Sequence, residues 1–342
     1  MTNLRMAVIG LNHNHIYGQV RLLMDAGVRL AGFFAREDHL ADAFRQTYPD
    51  TPRADVAERL LDDPSIDLIV SAAIPNERTD IAISAMRRGK DVLLDKPAAT
   101  TLEQLKRLRT VQTETGRILS VYFGERLQSR CSIKAGQLIE SGAIGKVLHI
   151  TGMGPHRLRR KTRDPWFFRR TAYGGILVDL ACHQCEQFLH FSGQTDAEVL
   201  SASVANKANP HDCELQDYGD IHLRSGITTG YLRVDWMTPE GLPVWGDGRM
   251  FIVGSEGTIE LRKLIDVEGR AGKDHLFLVD REATRYIDCS EVPLTYGNAL
   301  VSDILNRSET AMPQERCFKA TELALRAQNM AEQLDATTFQ DD

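Results

Sequence analysis

Residues 5–18 read RMAVIGLNHNHIYG, and the order of residue types in this stretch decides the fold. Arg5 to Ile9 is a short apolar run that predicts a strand. It stops at Gly10, and Tyr17 to Ala26 predicts a helix whose apolar side is Val20, Leu22, Leu23 and Met24. A glycine between a strand and a helix lets the backbone turn tightly and approach a pyrophosphate at the helix N-terminus. This copy of the dinucleotide pattern is degenerate: Asn12 stands at the usual second glycine and His15 at the third. Asparagine tolerates positive φ best among non-glycine residues, so Asn12 is expected to substitute for glycine. His15 is expected to crowd the helix–sheet contact. Alone, the pattern is weak, because an ordinary strand-to-helix turn explains it equally well.

The residues that follow strengthen it. Strands are predicted at Arg29–Phe34, Leu68–Ala72, Asp91–Leu94 and Ile118–Tyr122, and helices at Leu40–Tyr48, Arg78–Arg88 and Leu102–Thr115. Strands alternating with helices imply parallel pairing through crossovers, hence a doubly wound Rossmann sheet over residues 1–122. The pattern changes near Phe123. A helix at Cys131–Ser141 precedes strand-like segments at 147–152, 198–204, 217–224, 227–236, 249–253, 258–262 and 275–278, and a last helix is predicted at Thr321–Leu334. Residues 123–342 are therefore expected to form an α+β domain with a large open-faced, mostly antiparallel sheet, its last helix free to pack back on the first domain. The fold class is α/β followed by α+β.

Bulk properties narrow the function. The 342 residues are 42% hydrophobic and 26% charged, with a net charge of −6. A mildly acidic globular chain has no general attraction for nucleic acid or an anionic membrane. The six cysteines are scattered, which is no disulfide framework. The N-terminus lacks the apolar core of a signal peptide, and no apolar run is long enough to span a bilayer. The expectation is a cytoplasmic protein that binds neither nucleic acid nor membrane.

Two further segments carry the chemistry: VLLDKPAAT at 92–100 and YGGILVDLACHQCEQF at 173–188. With the N-terminal turn, Pro75-Asn76, Gly142 with Gly145, and IVGSEGTIEL at 252–261, they resemble the Gfo/Idh/MocA oxidoreductases over nearly the whole chain. The resemblance implies NAD(P), a small polyol, cyclitol, sugar or sugar-acid substrate, and a homodimer or homotetramer built on the open sheet. The family's Glu-Lys-Pro motif is present as Asp95-Lys96-Pro97, so Lys96 inherits contact with the reacting oxygen. Its second motif is present as Asp179 and His183, with one glycine lost at Tyr173 and an acid at Glu186. The implied catalytic set is Lys96, Asp179 and His183. The cofactor set is Gly10, Asn12, His13, Arg36, Pro75, Asn76, Asp95 and Lys96.

The residue types suit the chemistry independently of the resemblance. Residues four apart share a helix face, so Asp179 and His183 can converge on one hydroxyl. Histidine titrates near neutrality and serves as a general base, and a lysine ammonium stabilises an alkoxide. Each residue alone is more often structural; the three in order favour the functional reading. NAD preference normally needs an acid at the end of the second strand. Ala35 stands there, followed by Arg36, with Glu37 and Asp38 close by, so NADP is placed slightly ahead of NAD.

Substrate candidates are Arg126, Arg157, Trp166 and Tyr173. Arg157 and Trp166 lie in MGPHRLRRKTRDPWFFRR (153–170), whose arginines read mainly as a solvated or subunit-contact loop, with one or two gripping a carboxylate or phosphate. Cys182 and Cys185 lack a second ligand pair and read as small core residues; His13 and His15 are two apart, but no metal is expected. Two rival functions stay open: a glycosidase using bound NAD for transient oxidation, and a non-catalytic NAD(P)-binding regulator, against which the intact Lys96, Asp179 and His183 argue.

Overall fold

The computed structural model describes residues 3–334. They divide into two compact units. The first runs to Phe123 and takes in Thr295–Phe318; the second holds Gly124–Leu294 and resumes at Lys319.

The first unit is a five-stranded parallel sheet of β1 (Arg5–Ile9), β2 (Arg29–Phe34), β3 (Leu68–Ser71), β4 (Asp91–Asp95) and β5 (Leu119–Tyr122), in the order β2-β1-β3-β4-β5. Every residue of β3, β4 and β5 is buried. That is why these strands read as unbroken apolar runs: crossover helices cover both faces. The helix His15–Asp25 turns Ile16, Gln19, Val20 and Leu23 inward at helical spacing. Helix Leu102–Thr115 is bounded by Thr101, whose side chain accepts from the Gln104 amide, and by Gly116 at φ 60°. Beyond β2 a single parallel bridge joins Phe33 to Arg53. Phe33 N donates to Pro52 O (3.0 Å) and Ala54 N to Phe33 O (2.8 Å). This rung occupies the place of the outer third strand of a 3-2-1-4-5-6 dinucleotide sheet. One rung leaves no alternating pattern by which a sequence could reveal it.

The helix Tyr296–Asn306, unrecognised in the sequence, also belongs to this unit. Its Tyr296 hydroxyl lies 2.7 Å from Ser120 Oγ. Its Asp303 carboxylate gathers the turn that follows, accepting from Ser308 Oγ (2.7 Å), Thr310 N and Oγ1 (2.8 Å each) and Ala311 N (2.8 Å).

The second unit is a nine-stranded sheet of β6 (Val147–Pro155), β7 (Glu198–Ala205), β8 (Tyr218–Ser225), β9 (Thr228–Asp235), β10 (Arg249–Gly254), β11 (Thr258–Arg262), β12 (His275–Val279), β13 (Thr284–Asp288) and β14 (Glu332–Gln333). The order is β13-β12-β11-β10-β6-β9-β8-β7-β14, antiparallel except for β6–β9 and β7–β14. Helix Cys182–Ser192 packs on one face, where glycines admit it. A Cβ at Gly154 would fall 2.7 Å from Gln184 Nε2, and one at Gly230 2.7 Å from the Phe188 ring. On the opposite face Phe251, Val253 and Tyr286 are exposed. The α/β and α+β expectation thus holds, with two edge strands more than the sequence indicated. The last helix spans Gln314–Met330 rather than Thr321–Leu334, because the chain turns at its end to lay β14 beside β7. Among the described residues no helix is long and apolar enough to cross a membrane.

Burial alone would raise the Asp303 carboxyl, but its four hydrogen bonds outweigh that and hold it below the ordinary carboxylate range. Its contribution to stability is therefore present above the unfolded pKa of about 3.9 and is lost as pH falls through the lower folded value. Asp303→Asn should destabilise the first unit by about 2–3 kcal/mol at pH 7 and flatten this acid limb, as read by urea denaturation across pH.

Candidate functional site

In the first unit the C-terminal ends of β1 and β2 and the loop after β3 line a cavity of about 350 Å³, whose walls include Gly10, Asn12, Ala35, Arg36, Glu37 and Asn76. Gly10 is required twice over. Its φ is +85°, and a Cβ there would collide with Ala73. Asn12 does not take the left-handed conformation expected of it; among the described residues only Arg159, Asp274 and Arg307 do so without being glycine. Its amide instead donates to Glu37 Oε1 (3.1 Å). Arg36 pairs with Glu77, and Asp38 turns away to Arg53 (2.7 Å). Pro75 opens the short 3-10 turn that presents Asn76.

One feature fits a nucleotide here. Asn76 Oδ1 is a buried acceptor without a hydrogen-bond partner among the described residues. The helix His15–Asp25 begins with no side-chain cap at Asn14; its first amides turn instead to His13 Nδ1, His13 O and Asn14 O.

Strand β4 delivers Asp95 and Lys96, both buried. Asp95 Oδ1 lies 2.9 Å from His15 Nδ1, and Oδ2 lies 3.1 Å from His13 Nδ1 and 3.3 Å from Arg78. The expectation that His15 crowds the sheet is corrected: its ring turns to the carboxylate. Burial, joined by the neighbouring His15, pushes His13 down to about 3 despite the pull of Asp95. Burial would raise Asp95, yet His15, Arg78 and His13 together hold it well below the usual carboxylate range. The nitrogens of His13 and His15 and an Asp95 oxygen lie within 4.8 Å of one another, close enough to share a metal ion, while Arg78 already balances the carboxylate. Arg78 also donates to Ala73 O (2.7 Å) and to Lys96 O, so it fixes the backbone on which Lys96 is carried.

In the second unit Asp179 sits in a π-helical turn, Leu177–Ala181, that runs into the α-helix bearing His183. The four-residue spacing argument assumed a regular α-helix; π turns are wider and recur at functional sites. Both side chains are buried. Gly174 and Gly175 precede the turn at φ 88° and 106°, and a Cβ at Gly175 would collide with Gln328 and the Arg170 guanidinium.

Behind His183 lies a network the sequence did not reveal. Glu125 Oε2 accepts from Gln184 Nε2 (2.7 Å) and Lys263 Nζ (3.1 Å); Lys263 also donates to Gln187 Oε1 (2.5 Å), and Gln187 donates to His183 O (3.1 Å). Burial would raise Glu125, but Lys263, His183 and His156 pull it far below the ordinary range. Nothing in sequence joins residues 125, 183 and 263; only the sheet and helix packing does.

The substrate candidates separate. Arg126 closes on Glu186, with Nε 2.8 Å from both carboxylate oxygens, and both residues are buried. Arg157 is held by the carbonyls of Pro239 (2.7 Å) and Leu242. The Tyr173 hydroxyl donates to Glu214 O (2.9 Å) and accepts from Gln216 N (3.0 Å), and burial pushes it up to about 12. These three are anchored within the unit rather than presented for a ligand. Trp166 packs edge-on against Phe167, its buried Nε1 without a partner among the described residues. Arg163, which the sequence did not single out from its loop, lies 4.4 Å over the Phe167 ring, and its charge is felt by Asp179. Cys182 and Cys185 are fully buried.

Two family models match. One, described as the oxidoreductase family's NAD-binding Rossmann fold, covers residues 4–123; the other, the GFO/IDH/MocA C-terminal domain, covers 133–260. A crystal structure from Erwinia carotovora atroseptica is 42% identical, covers 97% of this chain and 100% of its own, and superposes with a TM-score of 0.95. The uncharacterised oxidoreductase YdgJ of Escherichia coli is 34% identical over 40% of this chain and 39% of its own length. The myo-inositol 2-dehydrogenase of Thermotoga maritima is 26% identical over 83% and 85%. The chain spans 39% and 51% of the first two curated relatives it matches.

The His13 ring gives a test that needs no substrate. Its folded pKa lies below the unfolded value near 6.5, so the unfolded state binds more protons between about 6.5 and 3. Stability should therefore fall as pH drops through that window. His13→Asn should remove part of that slope in denaturation measured from pH 7 to 4.

Proposed function

Because the chain belongs to the Gfo/Idh/MocA family of NAD-binding oxidoreductases, we propose that it is an NAD(P)-dependent dehydrogenase or reductase acting on a hydroxyl or carbonyl of a small polyhydroxylated compound. The observation that carries the proposal is Asp179 and His183 at the start of one buried helix, backed by the Glu125 carboxylate. A relative that acts on a cyclitol supports the substrate class.

The nicotinamide, when bound, supplies or accepts the hydride. Gly10, Asn12, His13, Arg36, Pro75, Asn76, Asp95 and Lys96 are assigned to holding the nucleotide. Arg36 is the cation a 2′-phosphate would need, and Glu37 the carboxylate a free 2′-hydroxyl would need; with Ala35 at the usual acidic position, NADP is placed slightly ahead of NAD. In the oxidative direction His183 accepts the substrate hydroxyl proton, and Glu125 stabilises the resulting imidazolium. Lys96 holds the reacting oxygen, and Asp179 orients the substrate. The exposed apolar face of the nine-stranded sheet is proposed as the interface of a homodimer or homotetramer, which light scattering checks; a monomer would refute it. A glycosidase working through transient oxidation would instead leave bound NAD unreduced at turnover.

Loss of a general base costs about 10²–10⁴-fold. His183→Ala should lower kcat by that order while leaving nucleotide affinity within a few-fold, since the histidine lies in the second unit. Lys96→Ala should lower kcat and raise KM together. The wild-type pH–rate profile should show an inflection near neutrality that His183→Ala lacks; wild-type rates in that variant would mean another base acts. Ala35→Asp should shift preference toward NAD in calorimetric titration; a wild type already strongly selective for NAD would assign that role to Glu37.

A further inference from the structure

The chemistry of one arginine narrows the substrate. Resting on the dehydrogenase reading above, we infer that Arg163 recognises a carboxylate, so that the substrate is a polyhydroxy acid rather than a neutral polyol.

The loop between β6 and the π turn carries a dense group of cations; the structure gives three of them other partners and leaves Arg159, Lys161 and Arg169 exposed. Arg157 is held by main-chain carbonyls. Arg160 forms a two-pronged pair with Asp212, at 2.7 Å on each prong. Arg170 is bound to Gly174 O. Arg163 differs. Its Nε donates to Leu158 O (3.0 Å), and among the described residues its two terminal nitrogens have no hydrogen-bond partner. Those nitrogens are nevertheless not sealed from solvent.

The guanidinium is also built into place. Its central carbon lies 4.4 Å from the Phe167 ring centre and 5.2 Å from that of Trp236. Phe167 itself is edge-on to Trp236 at 5.2 Å and stacked on Tyr173 at 6.2 Å, so this aromatic support is fixed by the core. Aromatic faces hold a guanidinium plane in one orientation while leaving its outer edge free. Burial works against the charge, and the acid that favours it is Asp179. An arginine partly desolvated, rigidly held and lacking a hydrogen-bonded anion is incomplete: removing a cation from water is costly unless a partner compensates.

A carboxylate completes it. The free outer edge presents paired N–H donors at the spacing of the two carboxylate oxygens. A phosphate would call for further cations, and Arg157, Arg160 and Arg170 are committed elsewhere, which leaves only the exposed Arg159 close enough for Arg163 to feel its charge. Asp179 beside Arg163 then places the recognised acid group next to the residue assigned to orient the reacting hydroxyl.

The test uses the full-length protein saturated with NADP, and with NAD in parallel. Binding of D-gluconate, D-galactonate and D-glucuronate is measured by calorimetry against the neutral partners D-glucitol, D-galactitol and D-glucose, for wild type, Arg163→Met and Arg163→Lys. At least one acid should bind wild type, and Arg163→Met should weaken it about 10–100-fold, the range for a lost charge-assisted pair. Arg163→Lys keeps the charge without the fork and should fall between. Where the acid is turned over, the loss should appear in KM more than in kcat, with neutral polyols unaffected. The inference is overturned if no acid binds wild type, or if the best acid binds Arg163→Met as well as wild type. If Arg163→Met fails to fold, unweakened acid binding by a folded Arg163→Lys overturns it equally. Acid binding that depends on Arg163, without any nicotinamide reduction, would sink the dehydrogenase reading and leave the anion site standing.

Discussion

A carboxylate with no exposure to water, Asp95, organises the nucleotide end of this protein. Its charge is tolerated only because Arg78 and the His13 and His15 imidazoles surround it. The group draws on three pieces of chain: the turn after β1 supplies both histidines, the helix after β3 supplies Arg78, and the end of β4 carries Asp95 itself. The ion group therefore ties three crossings of the sheet together at the edge proposed for the nucleotide. Breaking a buried pair leaves an uncompensated charge, which is far costlier than losing a surface contact. The same arginine also holds the carbonyl of Lys96, so electrostatic order and the placing of a proposed catalytic lysine share one side chain.

The second unit reaches a comparable end by packing. Gly152, Gly154 and Gly230 lower the sheet surface so that a helix rich in polar side chains can lie against it. Gln184, Gln187 and His183 are all buried there, and Glu125 and Lys263 approach from other elements to pair with the Gln184 and Gln187 amides. A half-satisfied polar network would be worse than an apolar core. The glycines and the network are thus two parts of one arrangement, the first making room and the second supplying partners.

The sequence made legible what local patterning controls. Strand β2 and helix Leu102–Thr115 were bounded at the right residues because period, cap and terminal glycine agree there. The positions of Asp95, Lys96, Asp179 and His183 on their elements were legible through motif spacing. What it hid depends on distant partners. The single rung at Arg53 and the two-residue β14 have no periodicity to detect. The conformational tolerance of Asn12 says nothing of Glu37, which engages its amide. The place of Tyr173 in a motif suggests a substrate contact, while its hydroxyl is occupied by two main-chain groups. In the loop at 153–170 composition showed many arginines alike, and only packing distinguishes Arg163 from Arg157 and Arg160.

The return of Thr295–Phe318 to the first unit bears on how the protein is made. Strand β5 is the edge of its sheet, and the Leu119 amide on it donates to Gln314 Oε1 at 2.8 Å. Ser120 meets Tyr296, and Asp91 meets Arg307. All three partners are synthesised after the whole first stretch to Phe123 and most of the second unit. At ribosomal rates of roughly 5–20 residues per second, the nascent sheet waits on the order of 10–40 s with that edge uncovered. An unpaired edge is a template for association with other chains. The N-terminal segment leaves the ribosome as an unfinished domain, in need of shielding until the chain doubles back.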